Sequence, residues 1–161
     1  MLMFTGRLKV VPVSVSQISN WGGDAYNPES ALDGDLETIS HTDCALDTEL
    51  WYKMNFDTVY CFSEVVILQS HWDWNARRMQ GTKVMVVDRG AGAESLCGVL
   101  DVSNVHTQAG QTYRIPCDGK CGDEVELRLR HNTGQYQVGL LPCIHMREIE
   151  AFIGGKYLNH I

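Results

Sequence analysis

The stretch Ser30-Ala31-Leu32-Asp33-Gly34-Asp35, followed sixteen residues later by Trp51, is the most informative part of this chain. Two carboxylates on either side of a glycine make a tight turn that presents several oxygens to one point. Proteins bind Ca²⁺ with about six to eight such oxygens, from carboxylates and from backbone carbonyls. An ordinary Asp-Gly turn between two strands is the alternative interpretation.

The sequence around this turn is typical of short β-strands punctuated by Gly and Asp. Val84-Met85-Val86-Val87 is an apolar run that indicates a buried strand, whereas Glu124–Arg130 alternates apolar and charged residues, as in a strand with one solvent-facing side. No stretch keeps a helical period over 12 residues. The pattern predicts an all-β sandwich with functional loops at one end. The predicted strands are Leu8–Val15, Trp51–Phe56, Glu64–Gln69, Lys83–Val87, Thr112–Ile115, Glu124–Arg130 and Arg147–Ile153, and the candidate loops are Asn20–Asp24, Glu37–Glu49, Ser70–Gly81, Arg89–Ser95 and Asn132–Cys143.

The cysteines indicate an oxidising compartment. An even count of six, without a clean metal-binding spacing, is typical of disulfides. Zinc would need two close pairs, and only Cys117 and Cys121 are close in sequence. Because disulfides are expected, we predict a secreted protein. Met1–Val15 lacks a signal-peptide core and cleavage site, so we expect that its signal has been removed or lies outside this chain.

The charge and the motifs exclude several function classes. A net charge of −7 opposes binding to nucleic acid or anionic lipid, but it is compatible with a cation site and with neutral ligands such as sugars. No apolar run is long enough to span a membrane. No nucleophile elbow, zinc-protease helix or phosphate loop is present, so we do not expect an enzyme.

Three motifs follow one another in the order Ala31-Leu32-Asp33-Gly34, then Leu50–Phe56 led by a Trp, then Tyr60–Ile67. This order resembles the discoidin-like, or F5/8 type C, domains. Within that superfamily the chain is similar to the F-type lectins, or fucolectins, because Cys44, the Cys97/Cys117 pair and the Cys143 to Glu150 region match their pattern. The resemblance covers about residues 8–153 and implies one discoidin-like jelly-roll β-sandwich, with residues 1–161 as a single domain and 154–161 as a tail.

The resemblance implies a Ca²⁺ ion that joins the acidic turn to the last strand. Such an ion would stabilise the protein because it binds only the folded chain. The alternative is that Asp33 caps a turn and Glu148 faces solvent. The implied oxygen donors are the carbonyls of Ser30, Asp35 and Arg147, the carboxylates of Asp33 and Glu148, and either Thr42 or Asp43.

The resemblance also implies a sugar site made of a His after the first Cys, an Arg-x-Asp and a second Arg. The second Arg matches Arg78 and the Asp matches Asp73, whereas His71 stands in place of the first Arg. The family's His falls near Leu46, with His41 on the same loop. Fucose is therefore one candidate among related glycans.

The loop Ser70–Arg78 is suited to sugars by its chemistry as well. Trp side chains stack on the apolar C–H faces of a sugar, while Asp, His and Arg bind its hydroxyl groups. The alternative is that a Trp plugs the end of the sandwich and an Arg pairs with Asp73. The candidate ligand-binding residues are His41, His71, Trp72, Asp73, Trp74, Arg77 and Arg78.

Six cysteines allow about fifteen pairings, and sequence alone does not choose among them. The resemblance implies Cys97–Cys117 and Cys44–Cys143, with Cys61–Cys121 as an additional bridge that has no counterpart in the family. If Cys61 and Cys121 fail the geometry of a bridge, both remain thiols.

We therefore expect a secreted, calcium-stabilised lectin-like domain that binds glycans or glycoproteins in cell-surface or extracellular recognition. Because single lectin sites are weak, avidity through oligomers or tandem domains is expected. The alternative is a discoidin-like adhesion or assembly module that binds a protein surface through exposed aromatic residues. Membrane binding through loop-tip aromatics is the weakest option, because the acidic charge opposes it.

Overall fold

A computed structural model of the protein describes residues 6–45, 47–70, 77–102, 110–130 and 141–154. The helices in these ranges are short 3₁₀ turns, and none has the length and apolar character needed to cross a membrane. The turns are Asp24–Tyr26, Pro28–Ala31 and Arg77–Met79. The strands are β1 (Arg7–Val10), β2 (Ser14–Gln17), β3 (Ser40–His41), β4 (Leu50–Gln69), β5 (Lys83–Asp88), β6 (Ala93–Val99), β7 (Thr112–Leu129) and β8 (His145–Gly154).

The long strands β4 and β7 build both layers of the sandwich. Their antiparallel pairing runs from Leu50 opposite Leu129 to Asn55 opposite Glu124, and after two register shifts it continues to Leu68 opposite Thr112. One layer contains the first half of β4 and the second half of β7. In this layer β2 pairs with β4, β5 pairs with β7, and β6 pairs with β5. The second half of β4 pairs instead with β8, which also pairs with β1 and β3. The expected all-β sandwich is confirmed.

The core lies between the two layers and is built from every second residue of the strands. Tyr52 and Met54 of β4, with Val125 and Leu127 of β7, are at most 1% exposed. The other layer contributes Val65, Ile67 and Ile149, which are fully buried. Each apolar side chain of this kind stabilises the fold by about 1.5–3 kcal/mol relative to exposure.

The strand boundaries differ from the prediction in three ways. The predicted strand Leu8–Val15 is divided into β1 and β2, with Pro12 between them, because proline has no N–H to donate to a neighbouring strand. The pieces predicted separately within β4 and within β7 are continuous strands. Strands β3 and β6 were not predicted. Of the predicted tail, residues 155–161 lie outside the described residues.

The expectation of disulfides is confirmed, since all six cysteines are bridged. Cys61 and Cys121 lie opposite one another in the β4–β7 pairing, near the point where these strands pass from one layer to the other. Cys97–Cys117 ties the edge strand β6 to β7. The third bridge, Cys44–Cys143, belongs to the candidate site described below.

Candidate functional site

The acidic turn is attached to the last strand. It follows the 3₁₀ turn Pro28–Ala31, in which the Asn27 side chain accepts a hydrogen bond from the backbone N–H of Ser30. The chain reverses at Gly34, whose φ of 74° favours glycine. The Gly34 N–H donates to Oε1 of Glu148 on β8 at 2.8 Å, which joins two segments 114 residues apart.

An oxygen cluster surrounds the hydroxyl of Thr38. Its Oγ1 lies 2.8 and 3.0 Å from the two carboxylate oxygens of Asp33, 2.9 Å from the Asp35 carbonyl and 3.3 Å from the Ser30 carbonyl. A hydroxyl has a single hydrogen, so Thr38 can donate to only one of these acceptors at a time. The carboxylate, carbonyl and hydroxyl oxygens gathered here are of the kinds that bind Ca²⁺.

The electrostatics of Glu148 also fit a cation. Burial raises the pKa of this carboxyl, and the negative charge of Asp33 raises it further, while the hydrogen bond from Gly34 acts in the opposite direction. The field at this position therefore disfavours negative charge, and a cation held by both carboxylates would relieve that cost. The residues present here fit a calcium ion.

The structure brings together most of the predicted calcium ligands. Ser30, Asp33, Asp35 and Glu148 lie around the turn, and Nε of Arg147 donates to the Leu36 carbonyl at 2.5 Å. The hydroxyl in the cluster belongs to Thr38, which the sequence analysis missed, although its position five residues after Asp33 is a usable signal.

Thr42 and Asp43, the two alternatives predicted for the remaining ligand, have contacts elsewhere. Thr42 exchanges hydrogen bonds with Ile144: its N–H donates to the Ile144 carbonyl at 2.9 Å, and its hydroxyl accepts from the Ile144 N–H at 3.1 Å. The Asp43 N–H donates to the Ser19 hydroxyl at 2.9 Å. Both residues lie at the end of β3, beside the second cluster.

This second cluster forms around the Cys44–Cys143 disulfide. Arg78 places Nη1 3.2 Å from the Cys44 sulfur and 3.3 Å from the Cys143 sulfur, and its carbonyl accepts a hydrogen bond from the Cys143 N–H. A ring nitrogen of His41 lies within 4.8 Å of both sulfurs. Although His and Cys side chains at this spacing can hold a metal, the bridged sulfurs offer no thiolate.

His41 is arranged as a neutral hydrogen-bond acceptor. Its Nδ1 lies 2.6 Å from the Thr42 carbonyl, which only accepts, so Nδ1 carries the hydrogen and Nε2 keeps a lone pair. Burial lowers the pKa of His41, and the positive charge of Arg78 lowers it further, against the opposing effects of the Thr42 bond and of Asp43. An acceptor therefore lies beside the Arg78 donor.

Aromatic rings surround His41 on both sides. The Trp21 ring lies 5.1 Å from the His41 ring and 5.1 Å from the Tyr26 ring, measured between centroids. His145, opposite His41 in the β3–β8 pairing, stacks on it at 5.4 Å. His41 is only 4% exposed, whereas Trp21 is 42% exposed. Trp21 lies in the candidate loop Asn20–Asp24 but is not among the predicted ligand-binding residues.

Gln17 at the end of β2 holds the Trp21 loop against β3. Its Nε2 donates to the Tyr26 carbonyl at 2.9 Å and to the His41 carbonyl at 3.3 Å, while its Oε1 accepts from the Ser40 hydroxyl at 2.6 Å. The Trp21 N–H also donates to the His41 carbonyl at 2.9 Å. The aromatic group is therefore fixed by the backbone as well as by ring packing.

Of the predicted ligand loop, Arg77 and Arg78 lie in the 3₁₀ turn Arg77–Met79. His71, Trp72, Asp73 and Trp74 lie outside the described residues. The loop follows Ser70 at the end of β4, and Gln69 of that strand pairs with Met146 near the start of β8. Both ends of the loop thus join the described chain at the end of the sandwich that holds His41 and Arg78.

Comparisons with known proteins identify the fold. No family model matches the sequence, and no curated protein matches it significantly. A fucolectin from striped bass (Morone saxatilis) serum has a TM-score of 0.66 and 17% identity, over 88% of this chain and 45% of that one. A Streptococcus pneumoniae fucose-binding module has a TM-score of 0.66 and 17% identity, over 91% and 96%.

A third similar structure is a family 32 CBM from Clostridium perfringens in complex with galactose. Its TM-score is 0.60 at 13% identity, over 87% of this chain and 93% of that one. At these identities the similarity establishes the fold alone. It confirms the resemblance to the F-type lectin fold and the expected discoidin-like jelly-roll β-sandwich. The present chain spans less than half of the striped bass protein.

Proposed function

We propose that this protein is a calcium-stabilised glycan-binding module. Its sugar site would lie at the end of the sandwich where Arg78 and His41 both lie beside the Cys44–Cys143 disulfide. That shared position is the observation that carries the proposal, because it places a charged hydrogen-bond donor and a neutral acceptor near the same two sulfurs. Sugar hydroxyls both donate and accept, so they require such a mixed set.

The site is held in place before any ligand arrives. Arg78 contacts both sulfurs of the bridge, and His41 is held by the Thr42 carbonyl and by two ring contacts. Groups that are already ordered lose less conformational entropy when a ligand binds, which improves affinity. Burial lowers the pKa of Arg78. The ordinary pKa of an arginine side chain is so high that the guanidinium keeps its charge.

The similar structures support a carbohydrate as the ligand. Two are described as a fucolectin and a fucose-binding module, and the third holds galactose. Fucose and galactose are both neutral sugars, which suits a chain of net charge −7. We therefore propose fucose or a related neutral glycan as the recognised sugar, and binding without catalysis as the activity.

Calcium would support this site through the last strand. The proposed ligands are the carbonyls of Ser30 and Asp35, the hydroxyl of Thr38 and the carboxylates of Asp33 and Glu148, with the Arg147 carbonyl as a further donor from β8. A bound ion would supply a Coulombic link between the acidic turn and β8. His145 begins the same strand and stacks on His41, so the ion would help to order the sugar site as well.

The three disulfides support an extracellular location, because such bonds persist in oxidising compartments. We propose that the protein acts in cell-surface or extracellular recognition, including adhesion, with glycans or glycoproteins as partners. Weak single sites gain avidity when they are linked, so presentation in an oligomer or in tandem domains would strengthen binding.

A glycan array with purified protein tests the proposal. The wild-type protein should bind one or more neutral glycans ending in L-fucose or D-galactose in a saturable way. Arg78→Met and His41→Ala should abolish this signal while circular dichroism shows a retained fold. Arg114→Met is the matched control, because Arg114 is exposed and pairs with Glu64.

A clean negative array with correctly folded wild-type protein would overturn the glycan proposal. A pull-down of a partner that survives glycosidase treatment would then favour the alternative, a discoidin-like module that binds a protein surface. The array and the pull-down together separate these two functions.

A further inference from the structure

We infer that Trp21 is a ligand-contacting residue whose indole forms the platform for the C–H face of a neutral pyranose. This inference rests on the proposed glycan site, and it adds a residue and a substrate class that Arg78 and His41 do not define by themselves. Trp21 lies outside the Ser70–Arg78 loop that the sequence analysis favoured for sugar binding.

Exposure singles out Trp21. Among the described residues, it is the only aromatic side chain in the group of exposed large hydrophobic residues, and the others are Leu and Val. Exposed apolar surface is unfavourable in water, by about 25 cal/mol per Å² relative to its burial. An exposed Trp next to a polar cluster is therefore a candidate for burial by a ligand.

The indole is also rigidly held. The backbone N–H of Trp21 donates to the His41 carbonyl, the ring packs on His41 and Tyr26, and Gln17 fixes the surrounding backbone. A rigid aromatic contact gives a large apolar area at low cost in conformational entropy. This arrangement differs from that of a surface Trp that is free to rotate, and it provides a preformed stacking surface.

The chemistry of this surface selects a class of sugar. Galactose-like pyranoses carry C–H groups on one face and hydroxyls at the rim, so an indole can cover the face while polar groups bind the rim. The imidazole of His41 lies directly beside the indole, and Arg78 lies beside the same disulfide. The inferred position of the sugar is therefore against the indole, with its rim toward the disulfide that Arg78 and His41 adjoin.

The charge around the platform favours a neutral ligand. The segment 24–49 contains eight acidic residues and neither Lys nor Arg, so its formal charge is −8 and stays strongly negative with the proposed Ca²⁺ bound. Anionic sugars would meet repulsion from this segment, although salt would screen it beyond about 8 Å. The inferred ligand is a neutral pyranose with an unbroken C–H face.

The test compares Trp21→Ala, Trp21→Phe and wild-type protein on an array of neutral glycans. Trp21→Ala should weaken binding by about tenfold for each glycan that the wild type binds, and Trp21→Phe by less, since a smaller ring remains. Trp51→Phe is the matched control, because Trp51 lies on β4 and contacts Lys53. The NMR spectrum of Trp21→Phe lacks one indole N–H signal, which assigns that signal to Trp21 in the wild type. In a glycan titration of the wild-type protein, this signal should shift.

If Trp21→Ala binds glycans with unchanged affinity, Trp21 only packs against His41, whether or not the melting temperature falls. That result would overturn this inference and leave the proposed glycan site intact. If wild-type protein binds no neutral glycan, the proposed function fails and this inference fails with it. Binding that is lost in Arg78→Met and weakened in Trp21→Ala supports both.

Discussion

Arg78 and Cys44 are 34 residues apart in the chain, and Nη1 of Arg78 lies 3.2 Å from the Cys44 sulfur. The same nitrogen lies 3.3 Å from the Cys143 sulfur, so the guanidinium rests on the disulfide. The bridge therefore positions one of the two polar groups of the proposed glycan site, in addition to linking β3 to the segment that leads into β8. Binding should consequently depend on an intact Cys44–Cys143 bridge.

The double variant Cys44→Ala/Cys143→Ala should bind neutral glycans at least about tenfold more weakly on the array. The bridge joins residues 99 apart, for which chain entropy contributes about 4.7 kcal/mol of stability, so the melting temperature should fall too. Cys97→Ala/Cys117→Ala is the control, since that bridge joins residues 20 apart and lies on β6 and β7. It should lose stability but retain affinity, and equal affinities in both double variants would contradict the positioning role.

Calcium removal should destabilise the wild-type protein. At a calcium concentration 100-fold above its Kd, binding adds about 2.7 kcal/mol, so a chelator should lower the melting temperature by about 5–10 °C in a scanning fluorimetry experiment. Thr38→Val and Asp33→Ala should reduce this response, because each removes oxygens from the cluster. Asp57→Ala, whose carboxylate accepts from Tyr60, is the control and should respond like the wild type. An equal response in Thr38→Val and wild type would exclude Thr38 as a ligand.

Anionic glycans should bind more weakly than their neutral counterparts. The acidic segment 24–49 contains His41 and Cys44, and its carboxylates should repel a sialic acid or a sulfate. Matched pairs of sialylated and asialo glycans on one array provide the measurement, and the difference should shrink as salt is raised from 0.05 to about 0.5 M. A preference for the sialylated or sulfated member of such pairs would contradict the electrostatic assignment.

Stability should fall as the pH drops below the ordinary pKa of histidine, which is about 6.5. The pKa of His41 is lowered in the folded protein, so the unfolded chain binds more protons in this range and gains stability from them. The contribution of a neutral His41 is therefore fully present above about pH 6.5 and declines below it. Melting temperatures between pH 8 and pH 5 should show a smaller decline for His41→Gln than for the wild type, and parallel curves would be the contrary result.

Gly122→Ala should destabilise the sandwich by about 1–3 kcal/mol or more in urea denaturation. A Cβ at this position would lie 2.4 Å from the Val87 carbonyl oxygen and 2.7 Å from Cγ1 of Val86, so β5 would have to move away from β7. Gly90→Ala is the control, because its nearest neighbour would be an Asp88 carboxylate oxygen at 3.4 Å. A stability loss no larger than that of Gly90→Ala would show that the strands can separate at little cost.

The strands that alternate clearly in sequence were predicted, and the missed ones have physical reasons. Strand β6 lies at an edge, where Leu96 is 44% and Val99 47% exposed, so apolar residues there do not mark one buried face. Strand β3 has only two residues, and its identity as a strand depends on pairing with β8, more than 100 positions away. Local sequence carries little information about such a pairing.

The site was predicted unevenly for the same reason. Arg78, Asp33 and Glu148 match motifs that the chain order preserves, so the resemblance identified them. His41 was a candidate because it lies on the loop where the family's His falls near Leu46. Trp21 lies beside His41 because its backbone N–H and the Gln17 side chain both donate to the His41 carbonyl. These tertiary contacts cannot be read from the local sequence. Thr38 is closer to a local signal, because it lies three residues after the Asp-Gly-Asp turn, but its role depends on the four oxygens that lie around its hydroxyl.

The most direct test of the glycan site compares wild-type protein with Arg78→Met on an array of neutral glycans in the presence of calcium. We expect saturable wild-type binding to at least one glycan ending in fucose or galactose, and loss of that signal in Arg78→Met with the fold intact. Equal binding by the two proteins, or no binding by folded wild-type protein, would contradict it.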